Sequence, residues 1–367
     1  MIDLRLNYPI LPGQASQLHG ELMRLGASEH TPAYSLPPYA GDSALRQAAA
    51  DWLSRSGYPV LPSQIIVGVG GHHALTVVLL AAQLRGHAIA VDPFTYPGLI
   101  SLAELLNVQL VPCKGDGSGL LPGALRELCK RESVRGVYLM PTIHNPLGTV
   151  MPLSRREEIV AVAREQNLLL LEDDAYGFLD QTAPPCFAHL APERSFYIYS
   201  LSKVLLPGVK TAFLVTPADR VEIATIAIRV TSSGGVPLFT SLLCRWISNG
   251  TVAQWIEAKR AEASIRQNIA RRLLDGIDVA GHPASFHLWL DLPAPITAEP
   301  VRQALRVRGV DTVPGEAFSV SPVPSQFIRL SLGGEMDHQR LEQGLSIVAD
   351  QVLVHQRSTR EPSDIRI

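Results

Sequence analysis

A chain of 367 residues, 46% hydrophobic and 18% charged, is long enough for two domains and a large core, and its formal net charge of -2 argues against a nucleic-acid or polyanion partner. Cys113, Cys129, Cys186 and Cys244 lie without metal-type pair spacing, which favours thiols in a reducing compartment over a disulfide frame or a zinc site. The first residues have no charged-then-apolar leader and no apolar run reaches the length of a membrane span, so a cytoplasmic protein with no membrane partner is expected.

Residues 1 to about 40 are rich in proline and turn residues around one short helix near Leu18 to Leu25, and read as an arm able to lie on another domain or subunit. From Asp42, with Asp42 or Ser43 a plausible N-cap, Leu45, Ala48, Ala49, Trp52 and Leu53 form an apolar stripe at helical spacing. The stretch "QIIVGVGGHHAL" then passes from a β-branched strand through glycines into a helix. Such a turn aims free N–H groups at one point, and Gly70, Gly71 and His72 are the candidate anion donors; a tight turn that simply needs glycine is the alternative. Phe94 and Tyr96 follow in a loop, where an aromatic either stacks on a flat ligand or plugs the loop. The strand "RGVYLMP" ends in "TIHNPLGTVM", whose Asn145-Pro146 and Gly148 are common turn chemistry; His144 receives no role.

The strand "NLLLLEDD" carries four consecutive leucines, the mark of burial on both faces, and delivers Glu172, Asp173 and Asp174 with Tyr176 to its carboxyl end, where open parallel sheets bind ligands. Adjacent buried acids require a cation, a metal or a protonated ring nitrogen, and no further ligands at metal spacing stand nearby. Between two strands, "YSLSKVLLPGVK" presents Ser200, Ser202 and Lys203, with Lys210 beyond a Pro207-Gly208 bend. A partly desolvated lysine there suits Schiff-base chemistry, and the serines with a second cation suit a phosphate monoester. Strands and helices alternate over residues 64 to 215, which predicts an α/β fold with a mainly parallel sheet. Helices are then expected from Ala218, over Leu238 to Asn249 and Thr251 to Leu274, the last crossing between domains. The strand "FHLWLDLP", a helix from Ala298 to Arg308, the strand "QFIRLSLG" and a helix from Asp337 to Val352 complete an α+β domain, and the polar end "RSTREPSDIRI" is expected to fray. Phe318 either borders a substrate or packs in the core.

In order, GGHHAL, FTYPG, HNPLG, DDAY, SLSK, PGVK and FIRLS resemble the class I and II aminotransferases of fold type I, which use pyridoxal 5'-phosphate (PLP), and most closely the aminotransferase-like domains of MocR-type regulators and the 2-aminoadipate or kynurenine aminotransferases. The resemblance covers about Pro38 to Leu332. It implies a large domain with a mainly parallel seven-stranded sheet over residues 41–250, a small α+β domain over 251–367, the arm of residues 1–40 beside the small domain, and a homodimer. It implies that Lys203 forms the Schiff base with PLP and shuttles the proton, that Asp173 pairs with the pyridine nitrogen, and that Tyr176 and Asn145 bond the phenolate oxygen. Tyr96 would stack on the ring; Gly70, Gly71, His72, Ser200, Ser202 and Lys210 would hold the phosphate; Arg329 would fork the substrate α-carboxylate. The substrates implied are an α-amino acid and a 2-oxo acid. Departures are Lys210 where many relatives carry arginine, Gly71-His72-His73 in the phosphate turn, and Ala284-Ser285 where a glycine pair is usual. They keep open another PLP reaction, such as elimination, cyclisation or decarboxylation. A sensing domain of a transcriptional regulator is the third reading, against which stands the arm at Met1 with no basic winged-helix segment ahead of it.

Overall fold

The computed structural model describes residues 1–27, 36–54, 59–321 and 324–360, with side chains to residue 355. After a short strand β1 (Ile2–Asp3), the chain lays down β2 (Ile65–Gly68), β3 (Ala88–Val91), β4 (Gln109–Pro112) and a small hairpin of β5 (Gly115–Asp116) and β6 (Gly119–Leu120). Then come β7 (Val134–Leu139), β8 (Leu169–Asp174), β9 (Ser195–Ser200) and β10 (Ala212–Val215). Seven of these make one sheet in the order β2-β10-β9-β8-β7-β3-β4. All neighbours are parallel except β10, which runs antiparallel to both β2 and β9. The apolar runs explain this: Leu170, Leu171, Phe196, Ile198, Val137 and Leu139 are all buried, as strands covered on both faces require.

The chain continues with β11 (Val279–Ala280), β12 (His287–Asp291), β13 (Val310–Asp311), β14 (Val313–Pro314) and β15 (Phe327–Ser331). Four of them form an antiparallel sheet, β11-β12-β15-β14. This sheet has its own core, in which Leu288, Leu290, Ile328 and Leu330 pack against Leu341, Leu345 and Val348. The arm belongs here: β1 pairs in parallel with β13, and the Ser331 amide donates to the Leu4 carbonyl at 2.7 Å. The long helix Thr251–Leu273 bridges the two parts, since Val252, Trp255 and Ile256 enter the core of the large sheet and Ala270 enters that of the small one.

Element positions follow the sequence closely. Asp42 caps the helix Ser43–Ser54 by accepting from the Ala44 amide at 2.8 Å. The last helix, His338–Arg360, passes the expected end near Val352, because no glycine or proline lies between Val352 and Pro362 to end it. The expected fraying of the final segment falls, for residues 361–367, outside the described residues, as does residues 31–35 of the proline-rich arm.

Candidate active site

The strand ends β8, β9 and β7 meet the small sheet and the arm at a cleft, and the sequence-selected residues gather there. Alternation along β8 splits its three acids: Asp173 faces the cleft, while Glu172 and Asp174 face the opposite side. On that far side Glu172 accepts from the Phe187 amide at 2.6 Å, and Asp174 accepts from the Gly177 amide at 2.6 Å and the Tyr197 hydroxyl at 2.7 Å. Burial pushes the Glu172 carboxyl up to about 8. These two acids are therefore structural. Only Asp173 is aimed at the cleft, and it accepts from the buried Tyr138 hydroxyl at 2.8 Å. Burial lifts its carboxyl to about 6, opposed by the Tyr138 hydrogen bond and the Lys203 charge.

Lys203 follows β9 in a turn whose Leu201 amide donates to the Thr211 carbonyl at 3.1 Å. Its ammonium donates to the Asn7 carbonyl at 2.6 Å and stands 3.4 Å over the centre of the Tyr8 ring and 5.9 Å from that of Tyr176. Burial, with the nearby cations Arg329 and Lys259, pushes this amine down to about 7, against the pull of Asp173. An amine so poised loses its proton near neutrality and can attack a carbonyl.

Tyr176 is buried and accepts from Asn7 Nδ2 at 3.1 Å; burial raises its hydroxyl to about 12, so it remains a donor. Asn7 Nδ2 also lies 3.4 Å from His287 Nδ1, and His287 Nε2 lies 3.0 Å from the His144 carbonyl. Burial drives His287 down to about 3. A neutral ring therefore donates from Nε2 to His144 and accepts from Asn7 at Nδ1, which leaves the second Asn7 N–H for Tyr176. Asn145 and Arg329 meet across the cleft: Arg329 Nη1 donates to Asn145 Oδ1 at 3.4 Å, Nη2 donates to the Arg5 carbonyl, and Nε has no hydrogen-bond partner among the described residues. Phe318 packs 5.3 Å from this guanidinium and edge-on to Trp289, so it both borders the cleft and belongs to the core.

The glycine turn lies at the other end. Gly70, at φ +83, opens the helix Gly71–Ala81, whose first N–H groups receive no side-chain cap. A Cβ on Gly71 would sit 3.0 Å from Ser200 Oγ, and one on Gly70 would sit 3.5 Å from Lys210 Cβ and 3.7 Å from Ser202 Oγ. The turn thus faces Ser200, Ser202 and the exposed Lys210 at close range, and a side chain there would fill the cradle. Tyr96 OH lies 2.9 Å from His72 Nε2, with the two rings edge-on. An uncapped helix start ringed by hydroxyls and a lysine suits a phosphate, a buried carboxylate suits a pyridinium, and a low-pKa amine suits an aldehyde. The donor set fits PLP on all three counts. Among the described residues, no group of three or more His, Cys, Asp or Glu could hold a metal ion.

Sequence reasoning missed Asn7, Tyr138, His287 and Lys259. Tyr138 was within reach: its register partner is Leu171, two residues from Asp173 on the same face of β8. Asn7 carried no signal, because an arm's docking position is not written in local periodicity.

Residues 14–348 match the family described as aminotransferase class I and II. The chain is 30% identical over 311 residues to an uncharacterised HTH-type transcriptional regulator, YdeF, of Bacillus subtilis, covering 84% of this chain and 67% of that protein. It is 26% identical to a 2-aminoadipate transaminase of Thermus thermophilus, over 84% of this chain and 79% of that one. A second regulator of B. subtilis, YdfD, is 29% identical but is spanned over only 52% of its length. Among solved structures, the α-aminoadipate aminotransferase LysN of T. thermophilus, complexed with N-(5'-phosphopyridoxyl)-L-leucine, superposes with a TM-score of 0.87 at 22% identity, over 98% of this chain and 93% of that one. The kynurenine aminotransferase of Pyrococcus horikoshii gives 0.87 at 21% identity, over 99% and 92%. Fold, cradle and family model agree: the chain belongs to the class I and II aminotransferases, of fold type I, with PLP as cofactor.

Proposed function

We propose that this chain transfers the amino group of an α-amino acid to a 2-oxo acid in a ping-pong cycle, with Lys203 as the Schiff-base residue and proton carrier. The observation that carries this reading is the convergence of Lys203, Asp173, Tyr176 and Arg329, from three separate segments, on one cleft beside an uncapped helix start. Bound PLP supplies an electron sink into which the α-C–H bond of an amino acid can ionise. Asp173 would pair by charge with a protonated ring nitrogen, and Tyr176 and Asn145 would donate to the phenolate oxygen. Ser200, Ser202, Lys210 and the amides of Gly71 and His72 would hold the phosphate, and Tyr96 would pack against the ring. Arg329 would fork the substrate carboxylate and so orient the amino acid in the cleft, and Lys203 Nζ, an amine poised near neutrality, would accept the substrate's α-proton and give it back.

The test is turnover with a panel of amino acids, following the organic product by mass spectrometry. Release of the matching 2-oxo acid, lost in Lys203→Ala, is expected. Ammonia or a cyclised product in its place would overturn transamination. The regulator relatives favour a second reading, in which the same cleft senses an amino acid; it predicts binding without turnover. A cytoplasmic homodimer is part of the proposal. Exposed Ile226 and Val230, one helical turn apart on the helix Val221–Ser232, support a buried face in the assembly, and sedentation as a monomer in analytical ultracentrifugation would refute it. No described helix is long and apolar enough to cross a membrane.

A further inference from the structure

Lys259 is fully buried in the bridging helix Thr251–Leu273, at the apolar spacing of Ile256, Lys259 and Ala263. Its ammonium donates to the Lys203 carbonyl at 2.7 Å and the Leu205 carbonyl at 2.9 Å. No ion pair to a carboxylate accompanies it among the described residues. A lysine stripped of water without a counter-ion is costly, and the cost is tolerated where the cation fixes something. Here it fixes the backbone that carries Lys203.

We propose that Lys259 is a positioning residue for Lys203: it clamps the Lys203 turn to the bridging helix by two carbonyls and supplies a positive charge beside the reactive amine. The inference rests on Lys203 as the point of cofactor attachment. The clamp ties the start of the Lys203 side chain to a helix that enters both cores, so the amine keeps its aim. Burial pushes the Lys259 amine itself down to about 7, so its charge is present below neutral pH, where it acts with Arg329 on β15 against protonation of Lys203 Nζ; Asp173 on β8 acts in the opposite sense. The other groups facing the amine are the Asn7 carbonyl and Tyr8 of the arm, Tyr176 beyond β8, His72 of the glycine turn and His287 of β12.

The test is a pH titration of the visible absorption of the PLP-loaded protein, for wild type, Lys259→Gln, Lys259→Arg and Lys259→Met, with melting temperatures of the same samples. Gln keeps N–H donors for the carbonyls and loses the charge, so Lys203 Nζ in this variant should bind its proton about tenfold more tightly, moving the midpoint up by about one pH unit. Arg keeps both and should hold the midpoint at or below the wild-type value. Met loses both, and should show the raised midpoint together with a lower melting temperature. A wild-type midpoint in Lys259→Gln overturns the proposal, as does a Met variant that melts earlier yet titrates normally, which would leave Lys259 a purely structural residue. Should the Met variant fail to fold, the Gln and Arg variants decide. Absence of any PLP-dependent visible band in the wild type would instead refute the assignment of Lys203.

Discussion

Tyr138→Phe isolates what Asp173 contributes to holding PLP. Its buried hydroxyl donates to Asp173 Oδ2 at 2.8 Å, and deletion leaves a buried carboxylate with one donor fewer. A hydrogen bond to a charged group is worth about 1.5–3 kcal/mol, so the carboxyl should move up by about 1.5 pH units from its present position of about 6. If only ionised Asp173 pairs with the ring nitrogen, apparent affinity falls by the fraction protonated. With about 6 for the wild type and about 7.5 for the variant, the dissociation constant of PLP for the variant should exceed that of the wild type about 16-fold at pH 6, about fourfold at pH 7 and hardly at all at pH 8.5. The assay is a spectrophotometric titration of the apo protein with PLP at those three pH values. Protonation of the ring nitrogen itself is common to both proteins and cancels in the ratio. A ratio that stays constant with pH, or equals one throughout, would refute the claim that Asp173 holds the cofactor as an ion tuned by Tyr138.

Arg329→Lys gives up one of two charged hydrogen bonds to a substrate carboxylate, a loss of about 2–3 kcal/mol, so kcat/KM for α-amino acids should fall about 30- to 150-fold. Amines without a carboxylate should react as before; an equal loss for both would show that Arg329 does not read the carboxylate. Lys210→Arg should bind PLP at least as tightly as the wild type in equilibrium dialysis, because a planar fork replaces a point charge at the exposed rim of the cradle. The apo protein should gain stability between pH 8 and 9 in urea unfolding. Lys203 and Lys259 are both pushed from 10.5 to about 7, so over this interval the unfolded chain binds more protons than the folded one, and stability rises with pH; a fall would contradict their burial as unpaired amines.

The large sheet was legible because its signals are local: leucine runs, β-branched strands and glycine turns each fix an element without reference to the rest of the chain. The candidate site residues are legible because they stand at strand ends in a fixed order. What composition and spacing left open was direction. Glu172, Asp173 and Asp174 look equivalent in a row, and apart from the family resemblance, which picked Asp173, only the pleat of β8 turns one toward the cleft and two away, to the Phe187 amide, the Gly177 amide and Tyr197. Lys259 carried a readable signal, a lysine at a core position of an apolar helical stripe, which a charge count alone passes over. Asn7, His287 and the Arg5 carbonyl reach the cleft through the packing of the arm on the small sheet, and non-local docking of that kind leaves no periodicity to read.

That docking also explains why so many contacts span the cleft. Residues 1–4 are tied to the C-terminal part by β1 on β13 and to the small sheet by the Leu4 carbonyl on the Ser331 amide of β15, so residues 5–8 are held on that side of the cleft. Arg329 and His287 lie on the same sheet. Opposite them stand Lys203, Tyr176, Asn145 and the His144 carbonyl, all carried by loops at the ends of the large sheet. Links that join the two sides beside the reactive centre include the Asn7 carbonyl to Lys203, Asn7 Nδ2 to Tyr176, Arg329 to Asn145, and His287 to the His144 carbonyl. Each of these involves a candidate site residue or its immediate neighbour. The geometry of the reactive centre is therefore set by how the small sheet seats on the large one, and substitutions in the arm should alter PLP binding and substrate affinity together, though no arm side chain need touch the reacting atoms.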